Sequence, residues 1–299
     1  MRFRVCAPAS SANLGPGFDA LGLALDLWNE LEIDTEGPPG ITVEGSEAAH
    51  LDPLANNYTL NAMQELASAY GKTLPACAMR VRAEIPVARG LGSSAAALVA
   101  GLLAADRLLD LRLPLAEMYR HAWAMEGHGD NVGAALYGGA ILSVAGVPEA
   151  IRLTDGRALG LAVVLFIPEA TSATWAARAA LPATVPHPDA AFNVGAAAGL
   201  AVGLMTGNRA AIAAGMHDRL HEPYRARLFP HLATDGGGSA GSRSPWRLPE
   251  RGRANHPGAG RAGAWQCASG GGIPGRRPCA LRARPRRHPL PHVPGRLHH

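Results

Sequence analysis

Pro86-Val87-Ala88-Arg89-Gly90-Leu91-Gly92-Ser93-Ser94-Ala95-Ala96 lies where CAMRVRAEIPVA (77–88) gives way to SSAAALVAGLLAADRLLDL (93–111). The first segment alternates as a strand does, and the second is rich in Ala and Leu at helical spacing, so the unit predicts strand, glycine turn, helix. The N–H groups that open a helix have no intrahelical partner and carry partial positive charge, and glycines let an anion come close to them. A phosphate site is the natural expectation, and a serine hydroxyl could also ligate Mg2+. Other readings stay open on these residues alone. The glycines could simply permit a tight turn that the serines cap. GLGSSA also satisfies the dinucleotide pattern G-x-G-x-x-[GA], but that pattern expects a further parallel strand ending in an acidic residue, whereas here a second helical segment follows. Gly71-Lys72-Thr73 is not a Walker A loop, because Leu66 stands where its first glycine belongs. Lys72 is the only lysine, so phosphate charge must be met by Mg2+, a helix dipole or arginine.

Working outward, FRVCAPA (3–9) and ALDLWNELEIDT (24–35) are expected to hold strands, and YTLNAMQELASAYG (58–71) a helix ending at Gly71. LPLAEMYRHAWAMEG (113–127) reads as a helix followed by a glycine-bounded loop. GGAILSV (138–144) and LGLAVVLFIP (159–168) read as apolar strands. ATSATWAARAAL (170–181), FNVGAAAGLAVGLMTG (192–207) and RAAIAAGMHDRLHEPYR (209–225) read as helices. Strands and helices mix without a regular βαβ period, which predicts an α+β architecture in two lobes.

With 299 residues and 47% apolar composition the chain can build a sizeable core. No apolar run reaches the ~18 residues of a membrane span, and MRFRVCAPAS lacks the apolar stretch of a signal peptide, so a cytoplasmic protein is expected. The four cysteines are scattered without metal-ligand spacing. Net charge is +4, but residues 233–299 carry 12 Arg against 2 acidic residues and residues 1–232 carry 16 basic against 22 acidic, so the basic character belongs to the end of the chain. That end also holds 13 Gly and 9 Pro with no periodic apolar pattern, a composition expected to be disordered.

Four segments resemble one family. Residues 86–96 match the phosphate-loop motif P-x-x-x-G-L-G-S-S-A-A of the GHMP kinases. Pro8-Ala9-Ser10-Ser11-Ala12-Asn13-Leu14-Gly15-Pro16-Gly17-Phe18-Asp19 closely resembles the N-terminal motif of the homoserine kinase family within that superfamily. Glu126-Gly127-His128-Gly129-Asp130-Asn131-Val132 is similar to its E-G-H-P-D-N-V segment, with Gly129 for Pro. His217-Asp218-Arg219-Leu220-His221-Glu222-Pro223-Tyr224-Arg225 is similar to its D-x-L-H-x-P-Y-R segment.

The resemblance implies a ribosomal-protein-S5-like N-terminal lobe (1–150) that binds ATP and a ferredoxin-like C-terminal lobe, here partial (151–232). It implies transfer of phosphate from MgATP to the hydroxyl of L-homoserine, on the route to threonine, by a homodimer that binds no membrane. Asn13, Asp19, Asp130 and Asn131 would hold the amine and hydroxyl end of the substrate, and Arg178 and Arg225 its carboxylate. Pro86, Arg89, Gly90, Leu91, Gly92, Ser93, Ser94, Ala95 and Ala96 would hold the phosphates, Asn57 would lie near the adenine, and Ser94 with Glu126 would bind Mg2+. Loose phosphoryl transfer depends on alignment more than on a base, so positioning by Asn13, Asp19 and Asn131 is expected and no general base is assigned. Each residue also has a plain structural alternative: Asn13 and Asp19 as turn residues, Asp130-Asn131 at a helix N-terminus, the two arginines as surface charges. His128 and His221 stay unassigned.

After Leu232 the family pattern should continue through a helix to a glycine-rich L-S-G-A-G-P-[ST] motif and closing strands, and it does not. Shifted by one nucleotide, codons permitted by residues 247–256 can spell C-L-S-G-A-G-P-T-I. A frameshift near codon 233 accounts for both the lost motif and the new composition, and a chain so altered is expected to lose activity. The alternatives are another GHMP kinase of a small alcohol, or an inactive remnant carrying a basic nucleic-acid-binding tail.

Overall fold

The computed structural model describes residues 1–53, 55, 57–155, 161–167, 174–226 and 228. The expectations for 233–299 lie outside these residues. Strand β1 (Arg2–Ala12) runs antiparallel to the 14-residue β2 (Leu21–Asp34), from Arg2 opposite Asp34 to Ala12 opposite Gly22. The other edge of β2 is shared. Residues 30–34 pair with β4 (Ala78–Arg82) and residues 21–23 with β5 (Ala140–Leu142). β3 (Gly40–Glu44) adds in parallel to β4, and β6 (Ile151–Thr154) adds antiparallel to β5, completing a six-stranded mixed sheet.

Helices α1 (Tyr58–Ala69), α2 (Ser93–Leu109), α3 (Leu115–Glu126) and α4 (Gly129–Tyr137) share one core with this sheet. Val5, Leu31 and Ile33 from the strands meet Met63 and Leu66 of α1, Leu98 and Leu102 of α2, and Met118 and Tyr119 of α3, all essentially inaccessible. Each such aliphatic side chain contributes on the order of 2 kcal/mol by leaving water, so this cluster anchors the lobe. A smaller cluster of Leu14, Leu21, Ala140, Leu200, Leu204 and Ile212 joins the loop after β1 to α6 (His187–Thr206) and α7 (Arg209–Gly215).

Three local expectations are corrected. The glycine-bounded loop after α3 is largely helix α4. Its small residues let the helix lie close to the sheet, and at Gly22 of β2 a Cβ would meet the carbonyl oxygen of Asp130 at 2.2 Å. The single helix expected over 209–225 is broken into α7 and α8 (Glu222–Arg225), because the Asp218 carboxylate takes the N–H groups of His221 and Glu222 and starts a new turn. Of the strand expected over 159–168, residues 161–167 are described and pair with no strand among the described residues; Val164 and Phe166 are 88% and 77% exposed. Helix α5 (Thr174–Ala179) and α6 follow as expected. Trp175, Val194, Val202 and Met205 are all exposed, so both α5 and α6 leave apolar side chains open.

Candidate functional site

The glycine turn is held by two side chains and one backbone group from three other segments. Asn29 accepts from the N–H groups of Glu84 and Ile85 at 2.8 and 3.0 Å, buried Glu47 accepts from that of Val87 at 3.0 Å, and the N–H of Ser10 donates to the Leu91 carbonyl at 3.0 Å. Ala88, Gly90 and Gly92 have φ of 57, 73 and 66°. This left-handed alternation turns backbone N–H groups toward one side, an arrangement suited to an anion. Gly92 is the N-cap of α2 and makes no side-chain cap, so the first N–H groups of the helix remain open to a phosphate. Ser94, in the first turn, donates to Glu126 Oε1 at 3.1 Å across 32 residues, which brings together the two oxygen ligands expected for Mg2+. A hydroxyl and a carboxylate, both only partly buried, suit a hard cation that keeps some of its water.

Asn57, expected near the adenine, stands at the N-terminus of α1. Its Oδ1 accepts from the Leu60 N–H at 2.9 Å and its Nδ2 donates to the Pro53 carbonyl at 2.8 Å, so the side chain caps α1 and is committed to the backbone. Tyr58 beside it is 53% exposed.

The second loop, residues 13–19, carries Asn13, Leu14 and Asp19 at φ of 69, 47 and 56°. Non-glycine residues rarely adopt positive φ, and four of the six among the described residues fall in these two loops (with Ala88). Asn13 Oδ1 accepts from the Asp19 N–H at 3.0 Å and closes the turn. Asp19 receives both Nη atoms of Arg178, at 2.6 and 3.0 Å, and this pairing holds the Arg178 pKa above its usual value. Phe18 lies between the arginines, 5.4 Å from Arg178 and 5.1 Å from Arg225. Burial, and then the neighbouring Arg178, push Arg225 below the usual arginine range.

Asp130 and Asn131 stand in the first turn of α4. Asp130 is 1% exposed, and its Oδ1 accepts from the Asn131 N–H and meets His128 Nδ1, each at 2.7 Å. That hydrogen bond raises the His128 pKa against the effect of burial. Ligand atoms of Asp19, His128 and Asp130 all lie within 4.8 Å of one another, a cluster that meets Arg178 at Asp19. Asn131 Oδ1 accepts from Ser10 Oγ at 2.9 Å.

A buried polar network, largely invisible in the sequence, ties the two halves of this site together. Asn193 of α6 donates to the Pro16 carbonyl at 3.0 Å and to Asp218 at 3.1 Å, and accepts from the Arg219 N–H at 2.8 Å. His221 Nε2 lies 2.7 Å from the Gly15 carbonyl, and burial depresses its pKa. The turn bearing Asn13 and Asp19 is thereby fastened to the segment bearing Arg225. Asp218 and His221 belong to a recognised motif without an assigned task. Asn29, Glu47 and Asn193 give no sequence signal, because their partners are backbone groups far away in the chain.

The family model for the GHMP kinases N terminal domain matches residues 57–139, from the cap of α1 to the glycines after α4. A homoserine kinase of Synechococcus sp. (strain WH7803) is 40% identical over 275 residues, covering 90% of this chain and 81% of its own. One from Gloeobacter violaceus (strain ATCC 29082 / PCC 7421) is 43% identical over 230 residues, covering 76% and 77%. Among solved structures, homoserine kinase from Cytophaga hutchinsonii ATCC 33406 matches with a TM-score of 0.64 and 27% identity, over 77% of each chain. The Synechococcus match covers more of the chain than the residues before the compositional break, so it enters the arginine-rich segment.

Proposed function

The chain belongs to the homoserine kinase family, and on that premise we propose that it transfers the γ-phosphoryl group of ATP to the hydroxyl of L-homoserine, giving O-phospho-L-homoserine. The observation that carries this is the meeting of Asp19, beside Asp130, with Arg178, which shares the Phe18 ring with Arg225. Asp19 with Asp130 offers carboxylates to an ammonium, and Arg178 with Arg225 offers guanidinium forks to a carboxylate, the strong way to fix that group. Such a corner suits a zwitterionic amino acid and is poorly matched to a neutral sugar.

The substrate hydroxyl then falls to Asn13 and Asn131, and Asn131 adjoins the glycine turn through Gly92. Residues 86–96 cradle the phosphates of ATP, with Arg89 as the cation of the loop. Asn57 serves the nucleotide through the backbone it caps. Ser94 and Glu126 would hold Mg2+ through oxygen ligands, and the cation would offset the charge of the phosphates. Alignment and charge stabilisation supply the rate, and no side chain is assigned as base.

A homodimer in the cytoplasm, on the route to threonine, completes the proposal. So does a frameshift near codon 233 that replaces the remainder of the second lobe. The open apolar side chains of residues 161–167, α5 and α6 support that last point, since they are where further chain would pack. Because the Synechococcus match enters the same segment, the nucleotide sequence across codons 225–260, read from independent DNA, decides the matter. Substrate profiling tests the activity itself: phosphorylation of mevalonate or a sugar in preference to L-homoserine overturns it.

A further inference from the structure

We propose that Ser10 is a positioning residue for phosphoryl transfer, acting through Asn131 and the glycine turn. The inference rests on the homoserine kinase reading above. Ser10 is fully buried near the end of β1 and contacts both halves of the site. Its hydroxyl donates to Asn131 Oδ1 at 2.9 Å, and its N–H donates to the carbonyl of Leu91 at 3.0 Å. A Cβ on Gly92 would lie 2.1 Å from Ser10 Oγ and 3.1 Å from Asn131 Oδ1, so the three residues meet at one point.

The strand is shaped to deliver this contact. The β1–β2 register shifts between Pro8, opposite Trp28, and Ser10, opposite Ala24. Such irregularities re-aim side chains and are frequent beside active sites. The hydroxyl also decides which end of the Asn131 amide faces the ligand. An amide has one accepting and one donating end. With Oδ1 held by Ser10, Nδ2 is presented away from it as a donor to the substrate hydroxyl or the phosphoryl oxygens. Without that hydroxyl the amide can rotate, and misplacement of a positioning group by about 1 Å can cost on the order of 100-fold in rate.

The test is a double-mutant cycle on the full chain, with L-homoserine and MgATP. Ser10→Ala should lower kcat roughly tenfold, leaving both KM values within about twofold, and Asn131→Ala should lower kcat further. The double variant should be no slower than Asn131→Ala, because the Ser10 hydroxyl acts only through that amide and the backbone bond from Ser10 to Leu91 is kept in every variant. Ser10→Cys keeps the volume and a weak donor and should recover part of the loss. Losses that multiply in the double variant overturn the proposal. So does a Ser10→Cys variant no faster than Ser10→Ala when both melt as the parent does. Loss of the folded state in both also overturns it, since Ser10 would then be a packing residue. If neither the 299-residue chain nor a version with the reading frame restored after codon 232 turns over homoserine, the substrate reading is what fails, whereas a multiplicative cycle in whichever protein is active sinks the Ser10 proposal alone.

Discussion

Arg178 grips the carboxylate of Asp19 with both terminal nitrogens, at 2.6 and 3.0 Å, across 159 residues of sequence. Both side chains are about one-third exposed (38% and 35%), so water screens the pair and its contribution to folding is small. Its weight falls on recognition. A zwitterion can replace the internal pair with two external ones, ammonium on Asp19 and carboxylate on Arg178 and Arg225. Arg178→Ala is therefore expected to lower kcat/KM for L-homoserine by about 10- to 100-fold, the worth of a charged hydrogen-bond pair, with the melting temperature nearly unchanged. Steady-state kinetics beside a thermal melt check both halves. A large fall in melting temperature with KM unchanged would mark Arg178 as structural.

The glycine turn makes a prediction that separates two residues two positions apart. Gly90 has φ +73° and nothing within 4 Å of a built Cβ, whereas Gly92 has φ +66° and Ser10 Oγ at 2.1 Å. Alanine at Gly90 should cost about 1 kcal/mol from left-handed strain alone. At Gly92 the same change must also displace Ser10 and the start of α2. ATP affinity by calorimetry should weaken at least tenfold for Gly92→Ala and clearly less for Gly90→Ala; equal effects would argue against the packing described.

The Ser94 hydroxyl donates to the Glu126 carboxylate at 3.1 Å, close enough for the two oxygens to share one hard cation. Glu126→Gln keeps the shape and removes the charge. The Mg2+ concentration giving half-maximal rate should rise about tenfold, with KM for homoserine unchanged. An unaltered Mg2+ requirement would remove Glu126 from the metal site.

Acid should loosen the molecule through His221. Burial holds its folded pKa below 6.5, so the unfolded chain takes up a proton first as pH falls. Stability is then full above about pH 6.5 and declines below it until the depressed folded pKa is reached. His128 works in the opposite sense. Its pKa is raised by Asp130, and its contribution is present below pH 6.5 and lost as pH rises through the folded value. Urea midpoints between pH 7.5 and 5.5 should fall less steeply in His221→Gln than in the parent, and more steeply in His128→Gln. Slopes identical to the parent in both variants would contradict the burial and pairing described.

The parts of this fold that could be read directly from the chain are those whose physics is local. Residues 77–111 announce strand, turn and helix by periodicity and glycine placement, and the structure forms β4, the turn and α2 there. Residues 129–137 carry two glycines, which argue for a loop. Burial against the sheet outweighs that propensity, since Gly22 and Gly133 are where backbone or side chains from other elements come close. The break between α7 and α8 depends on one carboxylate, Asp218, that caps a new turn from a buried position no periodicity can show. The cap that Asn57 places on α1 joins the Leu60 N–H and the Pro53 carbonyl, a local role its motif does not announce. Ser10 was quoted within a motif, but its task depends on Leu91, Gly92 and Asn131 arriving at the same point from far along the chain.

The open apolar side chains have a consequence in solution. Val164, Phe166, Trp175, Val194, Val202 and Met205 are all more than half exposed, a larger display of apolar groups than isolated surface residues require. The 299-residue chain should bind a hydrophobic dye and self-associate with rising concentration, as light scattering would report. A monodisperse, dye-silent protein would mean that they are covered.

The most direct measurement is phosphorus NMR of purified protein incubated with MgATP and L-homoserine, using both the 299-residue chain and a version with the reading frame restored after codon 232. The account predicts the O-phosphohomoserine resonance from the restored protein, with the 299-residue chain slower by about tenfold or more, as the proposed frameshift requires. No phosphohomoserine from either protein, or transfer to mevalonate or a sugar instead, would contradict it.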